Sequence, residues 1–349
     1  MVAFSSIQVA SALSTHLSRL LQFSISVLFL LGLAIAVYKR PIPDDFDRYV
    51  YEAIVLGKSE PVESIYARVK HESPRAEGSS VLDSPQHLSE LEPLYKIRPL
   101  YIDLISLLGR LIPIQRAINL LSALSLFGIG IVVLLWTQKP LQTALLMTFY
   151  PVLNLGRSGT PDALAALLAI SALCLIDTRG AKYLALGVLF LSLGVRTDNI
   201  LVLLAVLAWM LWDEKVSIYV AAICALLAIA IVLGINHWAG NYGWIVLFRY
   251  SFIGGKYPAE LPHSLSIREY LSGFFLGLTG LPQLAIWILI GIWAWIRKPD
   301  ALLLVTCLAL VAHFVLFPSP EARYLVWGGI VAAAMLIRSF NEPPFWERA

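Results

Sequence analysis

Between residues 117 and 338 the chain is a near-continuous succession of apolar runs, separated by short charged tags and one longer polar interval. That pattern constrains the fold more than any single motif does. Only 14% of the 349 residues are charged while 58% are hydrophobic, and the mean hydropathy is +0.76. A soluble domain of this size carries roughly 25% charged residues to cover its surface. Lipid must therefore solvate much of the exterior. The expected fold is an all-α integral membrane protein, with residues 1–349 as a single transmembrane domain.

The first apolar run, Leu20 to Val37, follows Arg19 and has about 18 residues, which at ~1.5 Å per residue approaches a ~30 Å hydrocarbon core. Ala34-Ile35-Ala36 imitates a cleavage site, so the run reads either as a cleaved signal peptide or as an uncleaved anchor, and an anchor is expected. Further spans are expected over 117–136, 141–156, 162–176, 183–195, 199–212, 216–234, 281–296, 301–317 and 323–338, about ten in all. With a cytoplasmic N-terminus, the short inner loops 137–140, 177–182, 213–215 and 297–300 each contain Lys or Arg. The opposite loops carry Arg157, Arg196 and Arg323, so the bias is small. An even count places both termini on the cytoplasmic side.

Residues 38–97 form the expected first outer loop, whose polar part is rich in Pro, Glu and Ser. It opens on Pro43-Asp44-Asp45-Phe46-Asp47, three acids in four residues where a span meets water. Arg48 to Leu56 and Val62 to Lys70 read as short amphipathic helices, and Ser73 to Ser89 as a loop. Arg98-Pro99-Leu100-Tyr101 starts a half-apolar helix to about Leu111, suited to the membrane interface. Residues 235–280 form a second outer interfacial segment, marked by Trp238, Tyr242, Trp244, Tyr250 and Tyr257.

On this topology the outer side gathers Asp44, Asp45, Asp47, Arg98, Arg157, Asp162, Arg196, Asp198, Arg249, Lys256, Arg268, Glu321 and Arg323. Each has an ordinary reading. Asp44 or Asp45 alone could cap the helix Phe46–Leu56, and Asp162 could cap its own helix. Arg196 with Asp198, and Glu321 with Arg323, could simply pair. Two acids cannot cap one helix, however, and so many ionisable groups at one membrane face are costly unless they line a cavity. Such a set suits sugar transfer from a lipid carrier. A carboxylate takes the proton of an acceptor hydroxyl or amine, and arginines hold the departing phosphate. Clustered aspartates also suit a divalent cation, Mg or Mn, although the spacing fixes no geometry. Cys174, Cys224 and Cys307 lie in apolar segments without metal-ligand spacing. The net charge of +3 includes no basic run, so no nucleic acid partner is expected.

At these residues the chain resembles the multispanning GT-C superfamily of glycosyltransferases that use lipid-linked sugars, which includes the protein O-mannosyltransferases and the lipid A aminoarabinose transferase. Pro43-Asp44-Asp45-Phe46-Asp47-Arg48-Tyr49 is similar to the Pro-Asp-Glu-x-Arg-Tyr element of the family's first outer loop. Arg98-Pro99-Leu100-Tyr101 is similar to its Lys-Pro-Pro-Leu-Tyr element, and Arg116 to Ser122 to its Ala-Arg-Leu-x-Ser. Asp162, Arg196-Thr197-Asp198 and Arg323-Tyr324 fall in order where the family has an acid, a charged turn and an Arg-Tyr. One residue is inserted before Arg48, Arg98 replaces Lys, and one proline is lost.

The resemblance implies transfer of a sugar from a polyprenyl-phosphate donor to a glycan, lipid or protein acceptor at the outer face (periplasmic, extracellular or luminal). It makes Asp44 or Asp45 the base and Arg98, with Arg323, the phosphate-binding cations. Asp162, with Arg157 and Asp198, is expected at the acceptor or metal site. The competing expectation is a membrane transporter or lipid-linked-sugar flippase, which would need charged groups lining a path from both sides, whereas the spans are nearly free of charge below their outer ends.

Overall fold

The computed structural model describes residues 2–42, 45–72, 84–255, 257–319 and 321–340. Asp44 and Lys256 therefore lie outside the described residues, as does most of the loop expected from Ser73. Among the described residues every regular element is helical, as expected, and there is no strand. The polar first segment follows α1 (Val2–Lys39) with α2 (Phe46–Leu56), α3 (Val62–Glu72), α4 (Pro85–Lys96) and α5 (Pro99–Gly109). The apolar remainder forms α6 (Ile114–Thr137), α7 (Pro140–Met147), α8 (Tyr150–Arg157), α9 (Asp162–Arg179), α10 (Lys182–Leu193), α11 (Ile200–Trp212) and α12 (Ile218–Ala239). It ends with α13 (Trp244–Phe248), α14 (Ile267–Leu278), α15 (Leu281–Arg297), α16 (Ala301–Leu316) and α17 (Val326–Ser339).

Three helical stretches are long and apolar enough to cross a membrane: Leu20–Lys39, Ile114–Thr137 and Ile218–Ala239. Counting each of two sharply bent pairs as one span, α8 with α9 at 118° and α14 with α15 at 68°, raises this to five. The expected ten is not reached on this measure, for two physical reasons. The run 141–156 is not one helix, because the chain breaks between Met147 and Tyr150 and restarts with a proline in the first turn of α8. In addition, α10 and α11 have 12 and 13 residues, or about 18–20 Å of helix against a ~30 Å core. The long apolar helices suggest a membrane protein.

The first segment also departs from expectation. Residues 85–89, assigned to a loop, belong to α4: Ser84 caps it by accepting the His87 N–H at 3.1 Å, with Pro85 at the first helical position. In the second expected interfacial segment, 235–280, α12 runs on to Ala239 and α14 starts at Ile267. A 3₁₀ turn between them, Pro258–Glu260, rests on α4, where the Tyr257 and His87 rings are 5.0 Å apart.

Two buried cores explain how these pieces stay together. The larger joins α1, α6, α9, α10, α11 and α17 through side chains such as Leu30, Ile129, Ile170, Leu189, Val206 and Ile330. The smaller folds α2, α4 and α5 onto α6 through Val50, Leu91, Ile105 and Ile118. Each fully buried aliphatic side chain contributes roughly 1.5–3 kcal/mol. The polar segment is therefore packed against the helical bundle instead of hanging from it.

Polar contacts collect at the two ends of the bundle. At one end α9 and α17 finish together: Asp177 accepts from Trp136 Nε1 at 2.6 Å and pairs with Arg338. Nearby, Arg297 reaches the Ser339 carbonyl, and Lys182 reaches the Lys215 carbonyl. At the other end the same two helices begin, at Asp162 and just after Arg323 and Tyr324. That second end carries the candidate site.

Candidate functional site

The site is built around the bend between α8 and α9. Ser158 is extended, its hydroxyl within 2.9 Å of the Thr160 hydroxyl, and Thr160 donates to Asp162 Oδ2 at 2.7 Å. Gly159 lets this turn lie directly on α2: a Cβ there would come within 2.6 Å of the Arg48 Cβ. The close approach lets the Gly159 N–H donate to Asp45 Oδ2 at 2.6 Å.

Asp45 occupies the position just before α2 but makes no capping bond to its own helix. Its carboxylate reaches across to the 158–161 turn instead, so helix capping is not its role. Burial pushes the Asp45 carboxyl above the usual range, and Asp47 beside it pushes the same way. The Gly159 N–H, Arg323 and Arg48 pull back. A carboxylate that binds protons more tightly is a better general base near neutral pH.

Asp47 joins the two halves of the molecule. It accepts the Tyr95 hydroxyl from α4 and Nη1 of Arg323, the latter at 2.7 Å across 276 residues of sequence. Tyr95 in turn lies against Arg98, whose guanidinium carbon is 5.3 Å from that ring and 5.8 Å from the ring of Tyr51. Arg98 otherwise donates to the Leu94 carbonyl at 3.2 Å. Among the described residues no carboxylate stands within ion-pair distance of it. A guanidinium held by aromatic faces keeps its donors available for an acceptor.

Behind Asp47 runs a chain of ion pairs, buried at its centre and exposed at Glu321. Arg323 also pairs with Glu321, and its Nε is 3.8 Å from Asp162. Asp162 is bonded to Arg196 Nη1, and the Arg196 fork grips Asp198 at 2.9 and 2.6 Å. The Arg196 and Arg323 guanidinium carbons lie 4.8 and 5.0 Å from the Tyr324 ring centroid. Asp162 is 4% exposed and Arg196 11%, so this chain is deep. Buried charges persist only with such reciprocal pairing.

Among the residues singled out by sequence, Asp45, Arg98, Asp162, Asp198 and Arg323 therefore meet at one end of the bundle. Arg157 does not join them: its Nε donates to the Arg40 carbonyl at 2.8 Å, tying α8 to the end of α1. Sequence reasoning missed Tyr51 and Tyr95, which cradle Arg98, and His313, which approaches Asp198. No spacing signal announces these three; only the fold brings them to the site. Among the described residues there is no group of three or more His, Cys, Asp or Glu side chains that could hold a metal ion. Asp162 and Asp198 are both turned to Arg196 and do not form a Mg or Mn cage.

These observations define an all-helical protein whose apolar helices suggest a membrane setting, with a buried charge cluster at one end of its bundle. The chain matches no protein-family model, no curated protein and no solved structure.

Proposed function

We propose that the chain is an integral membrane glycosyltransferase that moves a sugar from a polyprenyl-phosphate donor to an acceptor at the outer face. The carrying observation is the convergence of Asp45, whose carboxyl is pushed up, with the guanidinium of Arg98, which among the described residues makes no ion pair, on the two sides of the Asp47–Tyr95 contact. In this reading Asp45, with Asp44 as the other candidate, takes the proton of the acceptor hydroxyl or amine as the bond to phosphate breaks. The charge growing on the departing phosphate falls to Arg98. Arg323 is engaged by Asp47 and Glu321, so it holds Asp47 in place and adds to the positive field at the phosphate.

The proposal includes about ten spans with both termini cytoplasmic. Supporting it, α9, α10, α11 and α17 each run between the two polar ends of the bundle. The test is turnover by the purified protein in nanodiscs with a panel of polyprenyl-phosphate hexoses and pentoses. Asp45→Asn, Asp44→Asn or the double variant should lose about 10²–10⁴-fold in rate with no loss of melting temperature. Wild-type transfer by all three, or no donor consumed by the wild type, would refute the reading.

A further inference from the structure

The far end of the ion-pair chain holds a group with no part in the chemistry above. His313 lies in α16, an otherwise apolar helix, and its Nδ1 is 3.2 Å from Asp198 Oδ2. Its Nε2 is buried and, among the described residues, has no hydrogen-bond partner. Asp198 is already fixed by the Arg196 fork, so it offers Nδ1 a rigid acceptor. A carboxylate accepting from Nδ1 sets the neutral imidazole with its proton on Nδ1 and its lone pair on Nε2.

His313, Asp198, Asp162, Arg196, Arg323 and Tyr324 border a cavity of about 20 Å³. That is room for one water-sized group, such as a hydroxyl, with several polar partners around it. Compensating Asp198 explains Nδ1 but not the second ring nitrogen, buried and unpartnered among the described residues, since Arg196 already supplies the charge. A buried imidazole in an apolar helix is costly unless it binds something.

We infer that His313 Nε2 accepts a hydrogen bond from one hydroxyl of the bound sugar, with Asp198 setting the tautomer that makes this possible. The inference rests on the sugar-transfer reading and adds a specificity-determining residue to it. The hydroxyl is the shared chemistry; its source is the sugar or a trapped water, and the experiment separates the two.

The first arm needs no activity. Solid-state NMR of ¹⁵N-histidine-labelled protein, with His313 assigned by loss of its signals in His313→Asn, should show a neutral ring protonated at Nδ1. A ring protonated at Nε2 would overturn the inference whatever the protein transfers. The second arm uses the polyprenyl-phosphate hexose turned over best and its series of monodeoxy analogues. One analogue should lose about 10–100-fold in kcat/KM with the wild type, the cost of leaving a buried acceptor unpaired. In His313→Asn, whose amide nitrogen replaces Nδ1 and keeps the Asp198 contact, that penalty should vanish. Equal turnover of all analogues by the wild type would assign the hydroxyl to water, and an undiminished penalty in His313→Asn would exclude His313; either result sinks the proposal. If no donor is consumed at all, the transfer reading falls by itself, and the tautomer still decides the Asp198–His313 pair.

Discussion

The ion-pair chain makes a quantitative claim about stability that is separate from catalysis. Consider Asp162→Asn, Arg196→Met and the double variant. Asp162 is 4% exposed, with Arg196 bonded to one carboxylate oxygen, Thr160 to the other, and Arg323 at 3.8 Å. Removing one partner of a buried pair costs about 3–5 kcal/mol, because the survivor is left uncompensated. Asparagine keeps an acceptor oxygen, and Arg196 keeps Asp198, so Asp162→Asn should cost about 3 kcal/mol, the lower end of that range. Arg196→Met leaves Asp162 only Arg323 at 3.8 Å and Thr160, takes the fork from Asp198, and should cost about 5 kcal/mol. In the double variant the charge left behind by each single change is partly relieved. The two losses should therefore fall short of additivity by about 2 kcal/mol or more, within the range seen for residues in one network. Reversible unfolding in mixed micelles would measure all three. Additivity within about 0.5 kcal/mol would show that Asp162 and Arg196 do not act as a buried pair, and the chain of contacts would lose its central link.

Gly159→Ala should destabilise by about 1–3 kcal/mol, because the new methyl meets the Arg48 Cβ at 2.6 Å; unchanged melting would show that the turn does not pack on α2. Arg98→Ala should lower kcat/KM for a defined polyprenyl-phosphate donor about 100-fold, with Arg98→Lys recovering part; unimpaired turnover in the Ala variant would remove Arg98 from the site. Stability should also depend on Asp45. Its carboxyl is raised, so the folded protein binds that proton more tightly than the unfolded chain. The contribution is complete below the ordinary carboxylate value of ~3.9 and is lost as pH rises through the higher folded value. The melting temperature of the wild type should fall relative to Asp45→Asn as pH rises above ~4. Glu321 is raised by burial as well and adds a slope of the same sign in both proteins, so the difference between them isolates Asp45. Parallel curves would contradict the burial of Asp45.

What the sequence reveals here is what depends on local order. Apolar runs and a shortage of charge identify the helices, and charged residues at run boundaries identify which loops share an end. Arg196 with Asp198 and Glu321 with Arg323 are pairs two residues apart, visible as pairs before any fold is known. α4 was legible too: Ser84-Pro85 is a capping signal, but the polar turn residues before it extended the loop reading across it. The break between α7 and α8 was less so, because Tyr150-Pro151 sits inside a run whose composition alone looks continuous. The contacts of Tyr95 with Asp47, Arg98 with Tyr51, and His313 with Asp198 could not be read at all. They join positions 48, 47 and 115 residues apart, and their meeting is decided by tertiary packing.

The short helices have a consequence for the lipid. α10 and α11 offer only about 18–20 Å between the Lys182–Lys215 contact at one end and Arg196–Asp198 at the other. Beside them α12, with 22 residues, reaches about 33 Å. A bilayer that wets both surfaces must change thickness by about 13–15 Å over the width of a helix or two, or admit water down to Arg196. Such deformation costs fractions of a kcal/mol per Å of mismatch, so in the membrane setting proposed above the protein would act as an elastic element of its bilayer. Acyl-chain length then joins substrate and pH as a variable acting on the charge cluster. Thin bilayers should favour the arrangement described here, and thick ones should load it mechanically.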